Sequence, residues 1–573
     1  MLGKPFFKIY MKNDSLQNDS TQNEAQDAAQ RKAQVAEQQE AQDAAQHTAA
    51  SLVRHSSTLS LLTLLSRVLG LLREMTKASF LGTSALSDAF SVAFLFPNLF
   101  RRLFAEGSIS VAFIPTFKEY LLEKDREKTR EFLSCIFTFL TFFVTLTVMA
   151  GILASPLLVR LFGVEEYDET VLLTRIMFPF LGFISLAALF QGVLNSLHVF
   201  TPSGIAPILL NIVTILCAYC LSPFTENPAR AMALGILIGG FLEAAIQFPF
   251  ILKRGQRFFF TNLKKAINNP GTRKVLRLVS PTIIGMAAYQ INDLVSTALA
   301  ARAGEGIVSS LQYSIRLQEL ILGVFAVSIG TVLLPNLAEY AKTSQWEIYN
   351  KRLISAMNII ALITIPITFF SLVEGQSLIR LLFQNRSFDE TSVSLTLAAF
   401  TFHMPGLFFI ALNRILAPAF YAQSDTKSPT LAGIISLATN VCLAAILVGP
   451  LRGAGIALAL SLASVVNTVL LLALLKRKPN ITLSPAFSSV PLYILKLSVF
   501  SALAAVPVYF LSPFLQSFFL GRGRIISYGI PLIINASVFI LIGFAMLALA
   551  KDQYFNSIIN IFRRKIILRK PKS

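Results

Sequence analysis

Ser66–Tyr120 reads SRVLGLLREMTKASFLGTSALSDAFSVAFLFPNLFRRLFAEGSISVAFIPTFKEY. It has the apolar content of two membrane helices, yet it carries Arg67, Arg73, Glu74, Lys77, Asp88, Arg101, Arg102 and Glu106. An ionised side chain at the centre of a bilayer costs about 2.5–3.5 kcal/mol or more. These groups are therefore expected to face a protein interior or a water-filled cavity, and a buried charged chamber is the simplest arrangement.

Composition agrees. Of 573 residues, 54% are hydrophobic and 14% charged, with a mean hydropathy of +0.63, against roughly 25% charged in soluble domains. The chain reads as an all-α polytopic membrane protein. A net charge of +19 would point to nucleic acid in a soluble protein. Here the basic residues cluster in short loops between apolar runs, which the positive-inside rule explains without a nucleic-acid partner. Cys217 and Cys220 form a CxxC inside an apolar run with no second pair, so they read as packing residues. The four histidines show no ligand spacing, and neither a metal site nor a cofactor is expected.

Apolar segments recur near 57–80, 85–105, 131–154, 170–196, 203–222, 229–252, 277–301, 306–334, 353–373, 391–421, 429–449, 454–476, 490–512 and 526–550. Each is long enough to cross about 30 Å of hydrocarbon. About fourteen transmembrane helices put both termini on one side of the membrane. The loop with Lys253, Arg254, Arg257, Lys264, Lys265, Arg273, Lys274 and Arg277, and the tail with Arg563, Arg564, Lys565, Arg569, Lys570 and Lys572, make that side cytoplasmic. Residues 1–55, in which EAQDAAQ occurs at Glu24–Gln30 and Glu40–Gln46, have almost nothing apolar to bury and read as a low-complexity cytoplasmic tail. No h-region follows Lys4 and Lys8, so a cleaved signal peptide is not expected.

An internal repeat is visible. SISVAFIPTFKEY at Ser108–Tyr120 returns as SIGTVLLPNLAEY at Ser328–Tyr340, 220 residues later, and DET at Asp168–Thr170 returns at Asp389–Thr391, 221 later. Six spans duplicated in one orientation imply two six-helix lobes around a central cavity, related by an axis along the membrane normal, with two extra C-terminal helices. The expected divisions are an N-terminal lobe at 56–252, a basic cytoplasmic linker at 253–276, a C-terminal lobe at 277–478, and the last two helices with a basic tail at 479–573.

Helical spacing then gathers the polar residues. Ser84, Ser87, Asp88, Ser91, Asn98 and Arg102 share a stripe on the second span, with Pro97 disturbing its phase. Ser309, Gln312, Arg316 and Glu319 share one on the eighth. Arg67, Arg73, Arg101 and Arg316 are the candidate anion ligands, because a guanidinium forks onto phosphate oxygens and stays charged. Against this stands an ion-pairing role, Arg73 with Asp88 and Arg316 with Glu319. Glu74, Glu106 and Glu319 are pairing or orienting groups, Asp88 is an orienting partner or a proton carrier, and Arg102 is expected to snorkel to the cytoplasmic surface beside Glu106.

SRVLGLLRE, SDAF, PNLFRRLFAEG and AFIPTF, followed by YSIRLQELILGVFAVSIGTVLLP at Tyr313–Pro335, resemble the motifs of the MurJ (MviN) family of bacterial lipid II flippases, in the multidrug/oligosaccharidyl-lipid/polysaccharide exporter superfamily. The resemblance spans roughly Ser57 to Ala550. It implies two lobes around a cationic cavity and a lipid-tail groove along the last two helices. It also implies that Arg67, Arg73, Arg101, Arg316, Asp88 and Ser309 act on the substrate. Two departures stand out. Leu95 occupies a place where members often carry lysine, and Ser296, Asn440 and Ala444 stand where some members bind sodium, so sodium coupling does not follow from the resemblance.

The expected activity is therefore movement of lipid II across the bacterial cytoplasmic (inner) membrane by alternating access. Its partners are lipid II, membrane lipids and cell-wall synthesis proteins. No covalent chemistry is required, so the chain is not expected to be an enzyme. The alternatives are another superfamily transporter, carrying drugs or polysaccharide lipids, and a non-transporting scaffold for cell-wall synthesis. A drug or cation antiporter would want an acidic cavity, and a membrane-embedded transferase would need paired carboxylates or an Asp-rich metal motif, which the sequence lacks.

Overall fold

The computed structural model describes residues 61–103, 112–482, 484–557 and 559, with backbone alone at 281–289, 323–332 and 484–488. The N-terminal tail to residue 55, Glu106 and the basic residues from 563 to 572 lie outside the described residues. The chain divides between Leu65 and Ser66 into two units, of which the larger, Ser66–Ser573, is the helical body.

Among the described residues all regular structure is helical. The first half comprises α1 (61–81), α2 (Ala85–Arg101), α3 (Ile114–Leu122), α4 (Arg126–Arg160), α5 (Tyr167–Met177), α6 (Phe180–Ser196), α7 (Thr201–Leu221), α8 (Pro228–Ala245) and α9 (Phe248–Lys253). A short α10 (Leu263–Asn268) leads into the second half: α11 (Pro270–Arg302), α12 (Ile307–Lys342), α13 (Trp346–Phe383), α14 (Glu390–His403), α15 (Leu407–Tyr421) and α16 (Lys427–Lys476). The chain ends with α17 (Ser484–Phe519) and α18 (Ile530–Leu549).

Local chemistry sets these boundaries. Ser84, Asp125, Asn227, Asn269 and Asp389 each cap a helix by accepting from an otherwise orphaned backbone N–H. Pro179 separates α5 from α6, and Pro405 sits in the 3-10 turn Met404–Gly406 between α14 and α15, so the same interruption occurs in both halves. Pro97, Pro207 and Pro366 stay inside continuous helices. Within α16, Arg452 leaves the helical region (φ 47°, ψ −127°), and Ser436 Oγ donates to the Ala463 carbonyl at 2.8 Å, so the element is two packed arms. The helices beginning at Arg126 and Trp346 start 220 residues apart, the offset of the sequence repeat.

Nine helical segments among the described residues are long and apolar enough to cross a membrane, the folded pair Lys427–Lys476 counting as one. The number fourteen therefore stays a proposal.

Each half has its own core. Phe90, Met177, Phe180, Phe190 and Met232 centre the first, and Leu353, Ile360, Phe408, Ile415 and Leu471 the second. Between them, Val92, Phe96 and Phe178 meet Ile307, Leu311 and Ile456. The last two helices join at Ala504, Val508 and Phe539, next to Phe369 and Phe370 of α13.

Candidate functional site

Where the halves meet they enclose a cavity of about 210 Å³. The first half lines it with Arg73, Glu74, Ser91, Asn98 and Arg102, and the second with Asn292, Asp293, Gln312, Arg316 and Glu319. Ser91, Asn98 and Arg102 of the α2 stripe and Gln312, Arg316 and Glu319 of the α12 stripe thus face one space from opposite sides.

Glu74 is the hub. Its Oε1 accepts from Arg73 at 2.9 Å and lies 3.6 Å from the Arg316 guanidinium, joining α1 to α12. Arg316 also reaches Glu319 Oε2 at 3.1 Å and remains 39% exposed. The chamber is therefore neither emptied of charge nor sealed off from water. Arg73 pairs with its neighbour Glu74, not with Asp88. Arg102 differs from the expected snorkelling: its Nη1 donates to Asp293 Oδ2 at 3.1 Å across the cleft. Arg101 Nε donates to Asn98 Oδ1 at 3.0 Å and is half-buried, outside the chamber lining. Arg67 is exposed and does not line it either.

Asp88 is buried at the α1–α2 hairpin end and binds the start of α12. Its Oδ2 accepts from Gly306 N and its Oδ1 from Ser309 N, both at 2.8 Å. A carboxylate from one half thereby caps a helix of the other, satisfying orphaned donors and opposing the helix dipole. Ser309 serves through its backbone, while its hydroxyl turns to the Gly306 carbonyl. Around them, Ala85 N donates to Glu305 Oε1 (2.9 Å), Thr83 Oγ1 to Ser392 Oγ (2.8 Å) and Tyr313 OH to the Gly82 carbonyl (3.0 Å). Gly82 and Gly306 have positive φ, and a Cβ on either would strike a carbonyl oxygen of the facing half.

Sequence reasoning missed Asp293 and Asn292; Ser296 and Asn440, which the resemblance places where some members bind sodium, join Asn292 in one polar cluster, Asn440 Nδ2 donating to Asn292 Oδ1 (2.7 Å) and Ser296 Oγ (3.2 Å). The signal for Asp293 was available, since an acidic residue within an apolar run points inward by the rule applied to Asp88. Among the described residues no group of three or more His, Cys, Asp or Glu side chains could hold a metal.

Comparison with known proteins places this geometry. A family model described as "Lipid II flippase MurJ" matches residues 77–529. The chain is 46% identical over 502 residues to "Probable lipid II flippase MurJ" of Treponema pallidum (strain Nichols), covering 87% of this chain and 95% of that one. It is 32% identical to "Lipid II flippase MurJ" of Burkholderia cenocepacia, covering 75% and 85%. Its fold is similar to a solved "Lipid II flippase MurJ, inward closed conformation", with a TM-score of 0.71 at 25% identity over 89% of this chain and 99% of that one. An inward-facing multidrug resistance MATE family transporter of the MOP superfamily shares the fold at a TM-score of 0.59 and 14% identity, over 72% and 96%. The chain is a membrane protein that belongs to the lipid II flippase MurJ family.

Proposed function

We propose that the chain carries lipid II from the inner to the outer leaflet of the cytoplasmic membrane by alternating access, with no covalent step. The observation that carries this reading is the chamber itself, in which guanidinium groups from both halves face one water-accessible space. Lipid II presents a diphosphate, a bulky sugar-peptide and a long apolar tail. Arg73 and Arg316 would exchange Glu74 and Glu319 for diphosphate oxygens, which match the guanidinium fork at least as well as a carboxylate does. The tail would stay in lipid along α17 and α18, whose exposed Leu503, Phe510, Phe514, Ile533, Leu541 and Phe544 offer an apolar face.

The size of the chamber supports a closed conformation. Pockets for drug-sized ligands run about 300–1,000 Å³, so 210 Å³ cannot hold a sugar-peptide headgroup. This is a closed state, and loading requires the halves to part. In the proposed orientation both termini are cytoplasmic, and the α1–α2 hairpin faces outward. The basic loops would then meet cell-wall synthesis proteins on the cytoplasmic side.

The test is flipping of labelled lipid II in proteoliposomes. Arg73→Ala and Arg316→Ala are each expected to lower the rate at least about tenfold, the loss that follows from removing one charge-assisted hydrogen bond to the substrate. Wild-type rates in both variants would overturn the reading and favour a scaffold.

A further inference from the structure

Each of the three arginines lining the closed chamber lies within 4 Å of a carboxylate: Arg73 with Glu74, Arg316 with Glu74 and Glu319, and Arg102 with Asp293. Lys77 is different. It lies on α1 four residues beyond Arg73, about 6 Å nearer the hairpin along the helix axis, and is 3% exposed. Among the described residues no carboxylate lies within 4 Å of it. Its Nζ donates to Ser91 Oγ at 2.5 Å and Gln312 Oε1 at 3.1 Å, with the rings of Tyr313 and Phe90 at 5.0 and 5.8 Å.

Neutral acceptors and ring faces compensate a buried ammonium only in part, and burying a charge costs several kcal/mol unless an opposite charge repays it. Two of its three N–H groups are engaged by these oxygens, leaving one for a further acceptor. A void of about 30 Å³ adjoins it, bounded by Arg73, Glu74, Ser91, Phe94 and Gln312. That is room for one atom the size of a water or a phosphate oxygen. The two neutral acceptors come from different halves, Ser91 from α2 and Gln312 from α12, so an anion that takes the ammonium competes with a contact between the halves.

We propose that Lys77 is the phosphate ligand at the hairpin end of the chamber. It accepts one phosphate group of the lipid-linked diphosphate while Arg73, one turn away, holds the other, and it gives up Gln312 in doing so. The inference rests on the reading of the chain as a carrier of a diphosphate lipid. It adds a residue with no assigned role in the sequence reading and couples substrate binding to parting of the halves, because the bound state gains a contact that the closed empty state spends on Gln312.

The experiment measures binding of a polyprenyl diphosphate, the monophosphate with the same tail and the free alcohol to purified full-length protein in nanodiscs. Wild type, Lys77→Met and Lys77→Arg are compared, with melting temperature recorded for each. Wild type is expected to prefer the diphosphate. Lys77→Met is expected to lose at least about tenfold in diphosphate affinity, as for a charge-assisted hydrogen bond. It should keep its affinity for the alcohol and melt at the wild-type temperature or above, since an uncompensated charge has been removed. Lys77→Arg should retain the preference. Unchanged diphosphate affinity in Lys77→Met overturns the proposal, as does equal loss for all three lipids together with a lower melting temperature, which would make Lys77 a packing residue. If wild type does not distinguish diphosphate from alcohol, the flippase reading itself fails, and Lys77 with it.

Discussion

The two ends of the chamber are closed by different chemistry. At the hairpin end the halves are tied by buried contacts to main-chain atoms, with Asp88 on Gly306 N and Ser309 N and Tyr313 on the Gly82 carbonyl. At the opposite end, among the described residues, the halves are joined by exposed ion pairs: Arg102–Asp293, with side chains 31% and 45% exposed, spans the cleft, and Lys274–Glu119, 48% and 54% exposed, links α11 to α3. A backbone donor cannot rotate to another partner, so breaking the first set strands buried polar groups at about 1–3 kcal/mol apiece. A solvent-exposed ion pair exchanges with water at about 0–1 kcal/mol. The molecule is therefore built to open first at the Arg102 end, which in the proposed orientation admits substrate from the cytoplasm.

The largest effect should come from removing the cap. Asp88→Ala leaves two buried N–H groups without acceptors and is expected to destabilise the closed state by about 2–5 kcal/mol. The checks are a lower melting temperature and new labelling of a cysteine introduced at Ser392 by an external thiol reagent. Asp88→Asn, which keeps one acceptor oxygen, should fall between. A wild-type melting curve for Asp88→Ala would break the comparison, because the hairpin end would then be held by something else. Next in size is Gly306→Ala. Gly306 sits at φ 77°, where an alanine pays roughly 1–2 kcal/mol, and its Cβ would meet the Thr83 carbonyl oxygen. The same labelling should rise, by less than for Asp88→Ala.

The same contrast divides what was legible in the sequence from what was not. That Arg73, Glu74 and Arg316 face an interior could be read from composition, because the bilayer penalty leaves few alternatives, but the same rule misplaced Arg67, which is exposed, and Arg101, which lies outside the chamber lining. Of the two stripes read from helical spacing, Ser91, Asn98 and Arg102 and Gln312, Arg316 and Glu319 line the cavity, while Ser84, Ser87, Asp88 and Ser309 lie outside its lining, at the hairpin end. Pairing could not. Whether Arg73 meets Glu74 or Asp88 depends on how α12 is set against α1, and no period within one helix encodes that. Asp88 is a clear case: its position in an apolar run marked it as functional, but its role as a cap for a helix 218 residues away is a tertiary fact. Glu106 lies outside the described residues, and within them Arg102 pairs with Asp293.

The smallest change in stability should accompany the most specific change in access. Arg102→Gln and Asp293→Asn each remove one member of an exposed pair, and the melting temperature should move by no more than about 1 kcal/mol allows. Access should nonetheless shift, because the pair spans the mouth of the chamber. In a background with Cys135, Cys217, Cys220 and Cys442 replaced, all four being free thiols, a cysteine at Ser296 reports on the chamber lining. Its labelling by a reagent applied to the cytoplasmic side of inverted vesicles should rise severalfold in either variant. The reversed pair Arg102→Asp with Asp293→Arg should bring it back towards wild type, since attraction across the cleft is restored with its sign exchanged. If labelling is indifferent to all three, the ion pair is a bystander and the resistance to opening lies in the apolar contacts of Val92 and Phe96 with Ile307 and Leu311. In that case the two ends would differ in chemistry but not in which yields first.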